Sequence, residues 1–454
     1  MNTGILILAA GKGTRMYSDT PKVLLPLLHE PMLRYVLDAV MPLAPGKVWT
    51  VIGHKADMIA SVFNDGATVF IEQKAQLGTG HALQTAWPVL RAAGLSHVLV
   101  VSGDIPLISE SALRHFVAAA VADNADVAFI TLTPADTASF GRVLRKDGEV
   151  VAIIEATDYD IRRFGPCPKE INAGIYCLRM DSVAHLVPRL SNANKSGEVY
   201  ITDVVELAVA EKLRVFGFAA GDDMNLLGVN SPAELVACEE MLRHRIVRHW
   251  LDAGVHIHAP HMARIGPKVV LEPGAELSGP CELYGDSAVR RGAAVSSHVY
   301  MLDSVIACKA RVHSFSHLVG ARVGESCIVG PFARMRPGAV MEEGAHLGNF
   351  VEVKQARLGK GAKANHLAYV GDADVGENVN IGAGAITCNY DGKKKHRTTI
   401  AGGAFIGSNC SLVAPVSIGE GALIGAGSVI TKDVPENTLA LARARQALLP
   451  RKLQ

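Results

Sequence analysis

The segment VGESCIVGPFARMRPGAVMEEGAHLGNFVEV, residues 323–353, carries an apolar side chain at every sixth position. An amphipathic helix repeats its apolar residues every three to four positions, and a half-buried strand repeats them every two. Neither structure explains a period of six. Such repeats are typical of a parallel β-helix, in which each short strand ends at a corner and stacks on the next coil. The apolar positions of this segment are Val323, Val329, Met335, Met341, Leu347 and Val353.

The same period extends from Ile265 to Ile430, interrupted by several steps of five residues and one of thirteen. If three hexads make one coil, every irregular step falls at the same corner of a triangular prism. The pattern predicts about nine coils stacked at ~4.8 Å, which gives a rod of roughly 45 Å. Thr387 is the one predicted inward position that is not apolar. The other inward positions are Leu271, Leu277, Leu283, Val289, Val295, Met301, Ile306, Val312, Leu318, Leu358, Ala364, Val370, Val375, Ile381, Ile400, Ile406, Leu412, Ile418 and Ile424.

The first half of the chain has a different pattern, in which short apolar runs alternate with longer mixed segments. The runs 5–10, 48–52, 98–102 and 127–132 lack polar alternation and therefore predict strands buried on both faces. We expect residues 1–230 to form an α/β, Rossmann-like domain around a parallel sheet. Ligands of such sheets bind beyond the carboxyl ends of the strands.

A single long helix is predicted between these two regions. Ser231 can cap its N-terminus, Pro232 suits the first helical position, and Glu234 completes a capping box. No glycine follows until Gly254. We therefore assign residues 231–253 to a linker helix and 254–454 to the β-helix domain with a C-terminal tail. The alternative is a helix packed against the first domain.

Composition excludes several classes of protein. The net charge of +1 provides no global attraction for nucleic acid or an anionic membrane, and no apolar run approaches the length of a membrane-spanning helix. The 8 cysteines contain no CxxC pair, so neither a zinc site nor a disulfide framework is predicted. We expect a soluble, cytoplasmic protein with reduced thiols.

The loop after the first strand is a candidate phosphate site. Gly11 and Gly13 allow backbone N–H groups to approach phosphate oxygens, while Arg15 and Lys22 add positive charge. The loop is neither a P-loop nor a GxGxxG motif, and a plain tight turn is the alternative. Asp104 follows another predicted strand and is either a magnesium ligand or a helix cap.

Polar residues interrupt the repeats at a second candidate site. His366 is either a general base or a solvated surface histidine. The basic run 393–397 is either a solvated loop tip or a cluster of positive charge that attracts the phosphates of coenzyme A. Cys388 and Cys410 would suit an acyl-enzyme intermediate, but no partner base is evident beside either, so direct transfer is favoured.

These motifs together resemble the bifunctional N-acetylglucosamine-1-phosphate uridyltransferase/glucosamine-1-phosphate N-acetyltransferase family over essentially the whole chain. The first half matches through LAAGKGTRM (8–16), GTGH (78–81), INAG (171–174) and GVN (228–230). The second half matches through GPFARMRPG (330–338), NFVEVK (349–354), NHLAYVGDADVG (365–376), NVNIGAG (378–384) and CNYDG (388–392). The resemblance implies that the β-helix is left-handed, that the protein is a homotrimer with acetyl-transfer sites between neighbouring subunits, and that its product supplies cell-envelope glycans.

The resemblance also assigns residues to the uridylyl-transfer site. Arg15 and Lys22 would hold the phosphates of UTP and act in catalysis, and Asp104 with Asn230 would bind Mg²⁺. Ser102 stands where the family often has tyrosine. The residues implied for UTP and UDP-N-acetylglucosamine are Leu8, Gly11, Lys22, Gln73, Gly78, Thr79, Gly141, Glu155, Asn172 and Asn230.

For acetyl transfer, the resemblance implies that His366 is the general base. Arg336 and Lys354 would grip the sugar phosphate, while Tyr369 and Asn380 orient the amino sugar. Asn365, immediately before His366, stands where relatives often carry glycine. The acetyl-CoA groove is implied to consist of Ala383, Asn389, Tyr390, Ser408, Ala426 and Arg443, with Asn389 also facing the amino sugar.

Two rival functions remain at the level of sequence. A single-activity nucleotidyltransferase would use the β-helix only for assembly or regulation. A non-enzymatic scaffold would carry a decayed nucleotidyltransferase domain. The retained Arg15, Lys22, Asp104 and Asn230 argue against decay, and His366 with the CNYDG motif argues against a purely structural β-helix.

Overall fold

The structure is a computed structural model that describes residues 2–135, 137 and 140–450. The chain divides into two compact units, Met1–Glu240 and Met241–Gln454. Each unit contains one of the two candidate sites.

The first unit is built on one nine-stranded sheet. Its strands are β1 Thr3–Ala9, β2 Val48–Ile52, β3 Val69–Glu72, β4 His97–Ser102, β5 Val127–Leu132, β6 Arg142–Lys146, β7 Glu149–Ile154, β8 Ile171–Arg179 and β9 Val215–Ala219. The strand order is β9-β5-β8-β4-β1-β2-β3, and the hairpin β6–β7 is added beside β8. A separate two-stranded ladder pairs Pro26–Leu27 with Glu30–Pro31.

The sequence pattern predicts a parallel sheet, but the observed sheet is mixed. Strand β8 runs antiparallel to both β4 and β5. The chain reverses direction in the tight β6–β7 hairpin, and β8 then runs antiparallel to β6, in the same direction as β7. The central strands β4, β1, β2 and β3 are parallel, as predicted.

Helices cover both faces of this sheet. Alternate residues of β1 show the layering, because Ile5 and Ile7 pack into one apolar cluster and Leu6 packs into the other. The α-helices are α1 Met32–Val40, α2 Ala56–Val62, α3 Thr79–Ala92, α4 Glu110–Ala122, α5 Ile161–Phe164, α6 Met180–Val183, α7 Asp203–Ala210 and α8 Pro232–Asp252. Short 3-10 helices cover Thr14–Met16, Lys22–Leu24, Met41–Leu43, Val187–Arg189, Met224–Leu226 and Pro260–Met262.

Helix α8 contributes to both compact units. Glu239 accepts a hydrogen bond from the backbone N–H of Leu28 at 2.9 Å. Further along, Arg243 donates to the carbonyl of Pro260 at 3.0 Å, and Val247 is buried in the core of the second unit. Among the described residues, no helix is both long and apolar enough to cross a bilayer.

The second unit consists of three parallel sheets, which form the three sides of a prism. Face 1 contains His256–His258, Glu276–Ser278, Ala294–Val295, Arg311–Val312, Ile328–Val329, His346–Asn349, Lys363–His366, Asn380–Ile381, Phe405–Ile406, Leu423–Ile424 and Leu439–Ala440. Face 2 contains Ala263–Ile265, Cys281–Tyr284, Tyr300–Leu302, His317–Val319, Arg334–Met335, Glu352–Lys354, Tyr369–Gly371, Ile386–Cys388, Ser411–Val413 and Val429–Ile430. Face 3 contains Val270–Leu271, Ala288–Val289, Val305–Ile306, Arg322–Val323, Val340–Met341, Arg357–Leu358, Ala373–Val375, Thr398–Ile400 and Val416–Ile418.

Every inward position predicted from the six-residue period is buried, and all but Thr387 belong to one continuous apolar core. Strand partners on consecutive coils have equivalent positions in the repeat, as in Leu347 with Ala364 and Ala364 with Ile381. The residues between 265 and 430 therefore wind as one continuous prism.

The inward position of Thr387 is explained by hydrogen bonds between its hydroxyl and the backbone of Gly371. Its hydroxyl accepts a hydrogen bond from the backbone N–H of Gly371 at 2.7 Å and lies 2.9 Å from the carbonyl oxygen of the same residue. The side chain is 3% exposed, so these contacts satisfy polar groups that water does not reach. The polar residue thus belongs to the core.

Thr387→Val is expected to destabilise the β-helix by about 1–3 kcal/mol, because the Gly371 N–H loses its buried acceptor while the side-chain volume is kept. Chemical denaturation followed by circular dichroism measures the change. Thr387→Ser retains the hydroxyl and is the matched control. A valine variant as stable as the unmodified protein would contradict this role.

Two candidate active sites

A cavity of about 480 Å³ lies at the carboxyl ends of β1 and β4. This is the position at which parallel α/β sheets bind their ligands. Ser102, at the end of β4, is among its lining residues. The sequence-predicted residues that line it are Leu8, Gly11, Lys22, Gln73, Gly78, Thr79 and Asp104.

Lys22 is the centre of a polar group in this cavity. Its ammonium donates to the Asn230 side-chain oxygen at 2.9 Å and forms an ion pair with the Asp104 carboxylate. The side chains of Lys22 and Asp104 are only 14% and 19% exposed, which strengthens their electrostatic interaction. Two oxygens from sequence positions far apart therefore converge on one cation.

The glycines around Lys22 and Asp104 allow close backbone packing. A Cβ on Gly13 would lie 2.7 Å from the Lys22 Cβ, and Gly13 has a φ of +60°. A Cβ on Gly228 would lie 3.0 Å from an Asp104 carboxylate oxygen. Larger residues at either position would displace the charged side chains.

Gln73 and the start of α3 form the opposite wall. The buried Gln73 amide donates to the carbonyl of Gly78 at 3.1 Å and lies 2.8 Å from a ring nitrogen of His81. The hydroxyl of Thr79 accepts from the backbone N–H of Ile201 at 3.1 Å. Residues 73–81 are thereby held against the segment that precedes α7.

Gly141, Glu155 and Asn172 come together beside the sheet. The Asn172 N–H donates to the Gly141 carbonyl at 2.9 Å, and a Cβ on Gly141 would lie 3.4 Å from a Glu155 carboxylate oxygen. Thr202 donates to Glu155 at 3.0 Å, but burial dominates and raises the pKa of this carboxyl. Glu155 lines a second cavity, of about 820 Å³, which shares no lining residue with the 480 Å³ cavity.

Five of the predicted residues do not line the 480 Å³ cavity: Arg15, Gly141, Glu155, Asn172 and Asn230. Arg15 lies on the 3-10 helix Thr14–Met16 and is exposed. Within the described ranges, no three His, Cys, Asp or Glu side chains gather as a metal-binding group. Any cation in the first unit would therefore rest on few protein ligands.

The second site is organised along the corner between faces 1 and 2. Residues two positions beyond the inward residues of face 1 stack on consecutive coils, because their strands are paired in register. His366 is exposed on this corner and does not point into the core. The corner column contains Asn349, His366, Ala383, Ser408 and Ala426.

The last coils extend this column toward the C-terminus. Arg443 donates to the Ala426 carbonyl at 2.8 Å. Asn380 is the strand partner of Lys363 on face 1 and is half-buried. The structure thus brings Ala383, Ser408 and Ala426 into one row beside the predicted base.

Asn365 interrupts a column of glycines on this corner. Its strand-equivalent residues on neighbouring coils are Gly348 and Gly382. A Cβ on Gly348 would lie only 1.8 Å from the Asn365 carbonyl oxygen, which explains why that position is glycine. The Asn365 side-chain oxygen is buried and lacks a hydrogen-bond partner among the described residues.

Positive charges converge on face 2. Arg336 and Lys354 occupy the same repeat position on consecutive coils, and Arg336 donates to Glu352 at 3.0 Å. The Lys395 side chain contacts Lys354 and, with a further contribution from Arg336, lowers the pKa of Lys354. Three cationic side chains in one place form a site suited to a phosphate group.

Tyr369 and Asn389 lie beside this cluster. Asn389 is buried, donates to the Tyr369 hydroxyl at 3.4 Å, and also donates to the carboxylate of Asp372. Tyr390 is 61% exposed, and its hydroxyl donates to the carbonyl of Gly392 at 2.7 Å.

The thirteen-residue step forms an ordered loop. Asp391 accepts hydrogen bonds from the backbone N–H groups of Lys393 and Lys394, each at 2.7 Å. His396 contacts its other oxygen at 2.7 Å. These contacts, led by Lys394, hold the pKa of the Asp391 carboxyl well below its usual range. The basic run is folded back by this carboxylate.

Sequence reasoning missed two residues of this site. Lys395 was predicted only as part of a basic run, and its approach to Lys354 depends on the fold of the loop. Asn349 was recognised only as part of the NFVEVK motif and was assigned no role, yet its side-chain oxygen lies 2.8 Å from a ring nitrogen of His366. The two residues are 17 positions apart, which is the length of one coil. This spacing could have indicated that they stack on each other.

Comparisons with known proteins agree with both halves of the structure. A family described as MobA-like NTP transferase domain matches residues 5–144. A second, described as bacterial transferase hexapeptide (six repeats), matches residues 397–432. Together with the three parallel sheets, these matches confirm the predicted Rossmann-like domain and left-handed β-helix.

Similar proteins span nearly the whole chain and are named Bifunctional protein GlmU. The one from Nitratidesulfovibrio vulgaris (strain Miyazaki F) is 62% identical over 99% of this chain and 98% of its own length. That from Oleidesulfovibrio alaskensis is 57% identical, covering 98% and 96%, and that from Acinetobacter baumannii (strain ACICU) is 41% identical, covering 98% and 97%. The chain therefore belongs to the family of bifunctional GlmU proteins.

Proposed function

We propose that the second unit transfers an acetyl group from acetyl-CoA to glucosamine-1-phosphate, and that the first unit couples the product to UTP with release of pyrophosphate. The observation that carries this proposal is the presence of two separate polar sites in one chain. Lys22, Asp104 and Asn230 converge in the first, while His366 stands in a row with Ala383 in the second.

Uridylyl transfer requires alignment and charge stabilisation. A phosphate oxygen of N-acetylglucosamine-1-phosphate attacks the α-phosphorus of UTP, and the bond from that phosphorus to the β-phosphate oxygen breaks. Lys22 offsets the negative charge that develops as pyrophosphate leaves, and Arg15 adds charge at the rim. Gln73, Gly78 and Thr79, with Leu8 and Gly11, hold the nucleotide, while Gly141, Glu155 and Asn172 hold the sugar.

The residues of the first site fit a magnesium ion. Magnesium commonly takes one or two protein oxygens and completes its shell with water and substrate phosphates. Asp104 and Asn230 supply one carboxylate and one amide oxygen that already point to a common cation, the Lys22 ammonium. When bound there, Mg²⁺ would neutralise charge on the triphosphate and on the leaving pyrophosphate.

Acetyl transfer requires removal of a proton from an amine. The glucosamine nitrogen attacks the thioester carbonyl, the carbon–sulfur bond breaks, and coenzyme A leaves as a thiolate, which becomes the thiol by taking up the proton that the amine lost. His366 accepts the proton from the amine, a task that suits an imidazole near neutral pH. Arg336, Lys354 and Lys395 bind the sugar phosphate, and Tyr369, Asn380 and Asn389 orient the sugar. Acetyl-CoA would lie along Ala383, Asn389, Tyr390, Ser408, Ala426 and Arg443.

The flat faces of the β-helix are suited to self-association, and we assign the protein to a homotrimer with acetyl-transfer sites completed by neighbouring subunits. Sedimentation equilibrium tests this assignment, and a monomer at the concentrations of the activity assay would contradict it.

One assay tests both activities together. The protein is incubated with glucosamine-1-phosphate, acetyl-CoA, UTP and Mg²⁺, and the nucleotide sugar is identified by mass spectrometry. UDP-N-acetylglucosamine is expected, with release of free thiol and pyrophosphate. Pyrophosphate release from N-acetylglucosamine-1-phosphate without thiol release from glucosamine-1-phosphate would favour the single-activity rival, and release of neither would favour the scaffold.

Lys395→Ala is expected to raise the KM for glucosamine-1-phosphate by roughly 10-fold, because a charge-assisted contact to phosphate contributes about 1.5 kcal/mol or more. The KM for acetyl-CoA should change little. Steady-state kinetics with each substrate varied in turn measures this split. Lys393→Ala, on the same loop, is the matched control, and an equal effect of both substitutions would argue for general attraction by the loop.

A further inference from the structure

The contact between His366 and Asn349 joins two consecutive coils at the corner column. The two residues are direct strand partners, and the Asn349 side-chain oxygen lies 2.8 Å from Nδ1 of His366. The Asn349 main-chain carbonyl also accepts a hydrogen bond from the N–H of Leu367 at 3.1 Å. Asn349 therefore contacts both the imidazole ring of His366 and the backbone of the next residue, Leu367.

The chemistry of this contact specifies the tautomer of the imidazole. An amide oxygen can only accept a hydrogen bond, so Nδ1 of His366 must carry the hydrogen. In the neutral ring, the lone pair is then on Nε2. We propose that Asn349 is a positioning residue for acetyl transfer, which orients the ring and leaves Nε2 as the atom that accepts the proton. This inference rests on the proposed role of His366 as general base.

The neutral charge of the asparagine matters as much as its geometry. A carboxylate within hydrogen-bond distance favours the protonated imidazole, and a protonated ring cannot act as a base. Charged and titratable groups near His366 include Lys363, on the same strand, and His346, on the preceding coil. His346 has its pKa lowered by burial and also by nearby His313, Lys363 and His366. An uncharged acceptor orients the ring in this cationic setting without promoting its protonation.

Two substitutions separate orientation from charge. Asn349→Leu removes the acceptor and is expected to lower kcat for acetyl transfer by about 10–100-fold, the effect typical of losing a group that orients a functional histidine. The KM for glucosamine-1-phosphate should change little. Asn349→Asp keeps an acceptor in place and adds charge, so the acid limb of the kcat/KM profile should move to higher pH by about 1–3 units. Above that limb, its activity should recover to within a few-fold of the unmodified protein.

The experiment measures the pH profile of acetyl transfer by thiol release for the unmodified protein, both Asn349 variants and His366→Ala. Asn437→Asp makes the same chemical change at a different asparagine, far along the stack, and is expected to leave the profile unchanged. Uridylyl transfer in every variant reports whether the first unit is intact.

Each outcome distinguishes the two levels of the inference. If His366→Ala retains full acetyl transfer, the proposed function of His366 is wrong and the role of Asn349 falls with it. If His366→Ala is impaired but both Asn349 variants behave as the unmodified protein, only the positioning role is wrong. Loss of activity in both Asn349 variants, with no displacement of the acid limb and no recovery at high pH, would indicate a structural role and would overturn the proposal.

Discussion

His366→Ala is expected to lower the rate of acetyl transfer by about 10²–10⁴-fold, the usual contribution of a general base. The imidazole is exposed on the corner column beside Ala383, so its removal deletes the proton acceptor without opening a cavity in the core. Thiol release from acetyl-CoA in the presence of glucosamine-1-phosphate measures the effect. His313→Ala, on another coil of the prism, is a matched histidine control.

Uridylyl transfer by the same variant should be nearly unchanged, since the two sites lie in separate compact units. An unaltered acetylation rate would remove His366 from the mechanism. A reduction of both activities by the same factor would instead indicate a folding defect.

Lys22→Ala and Asp104→Ala are each expected to lower uridylyl transfer by at least about 10²–10³-fold, the cost of removing one group that stabilises transition-state charge. Asp104 and Asn230 each direct an oxygen to the Lys22 ammonium. Loss of Asp104 also removes the carboxylate of the proposed magnesium site. Pyrophosphate release from UTP and N-acetylglucosamine-1-phosphate measures both effects.

Asp104→Asn distinguishes charge from shape at this position. The substitution preserves the side-chain volume. If the carboxylate is a metal ligand, we expect the lowered uridylyl-transfer activity of this variant to recover in part as the Mg²⁺ concentration is raised. Acetyl transfer should survive in all three variants. Retention of normal uridylyl transfer in Lys22→Ala would contradict the role of this residue.

The β-helix was predictable in detail because its rule is local. Each inward residue recurs after six positions, and a polar side chain in its place would be buried without water. The exception, Thr387, was visible in the sequence, but its reason was not. Only the stacked coils place Gly371 within hydrogen-bond distance of its hydroxyl.

The first unit was predictable to a smaller extent. Uninterrupted apolar runs indicated buried strands, but such runs carry no information on strand direction. The antiparallel course of β8 follows from the reversal in the β6–β7 hairpin and from pairing with β4 and β5, which is a long-range property. Likewise, the sequence identified Lys22 and Asp104 as charged residues after strands, whereas their ion pair depends on how the sheet aligns the two loops.

The sequence by itself determined the inward positions of the prism, the corner at which its loop projects, and the loops that carry the polar residues of both sites. These follow from periodicity and from the tendency of buried strands to end at one edge. Tertiary structure alone decided that Lys395 reaches Lys354 and that Asn349 meets His366. The physical reason is that side-chain pairing across coils and loops depends on stacking register and on contacts such as those of Asp391, which no local pattern of residues encodes.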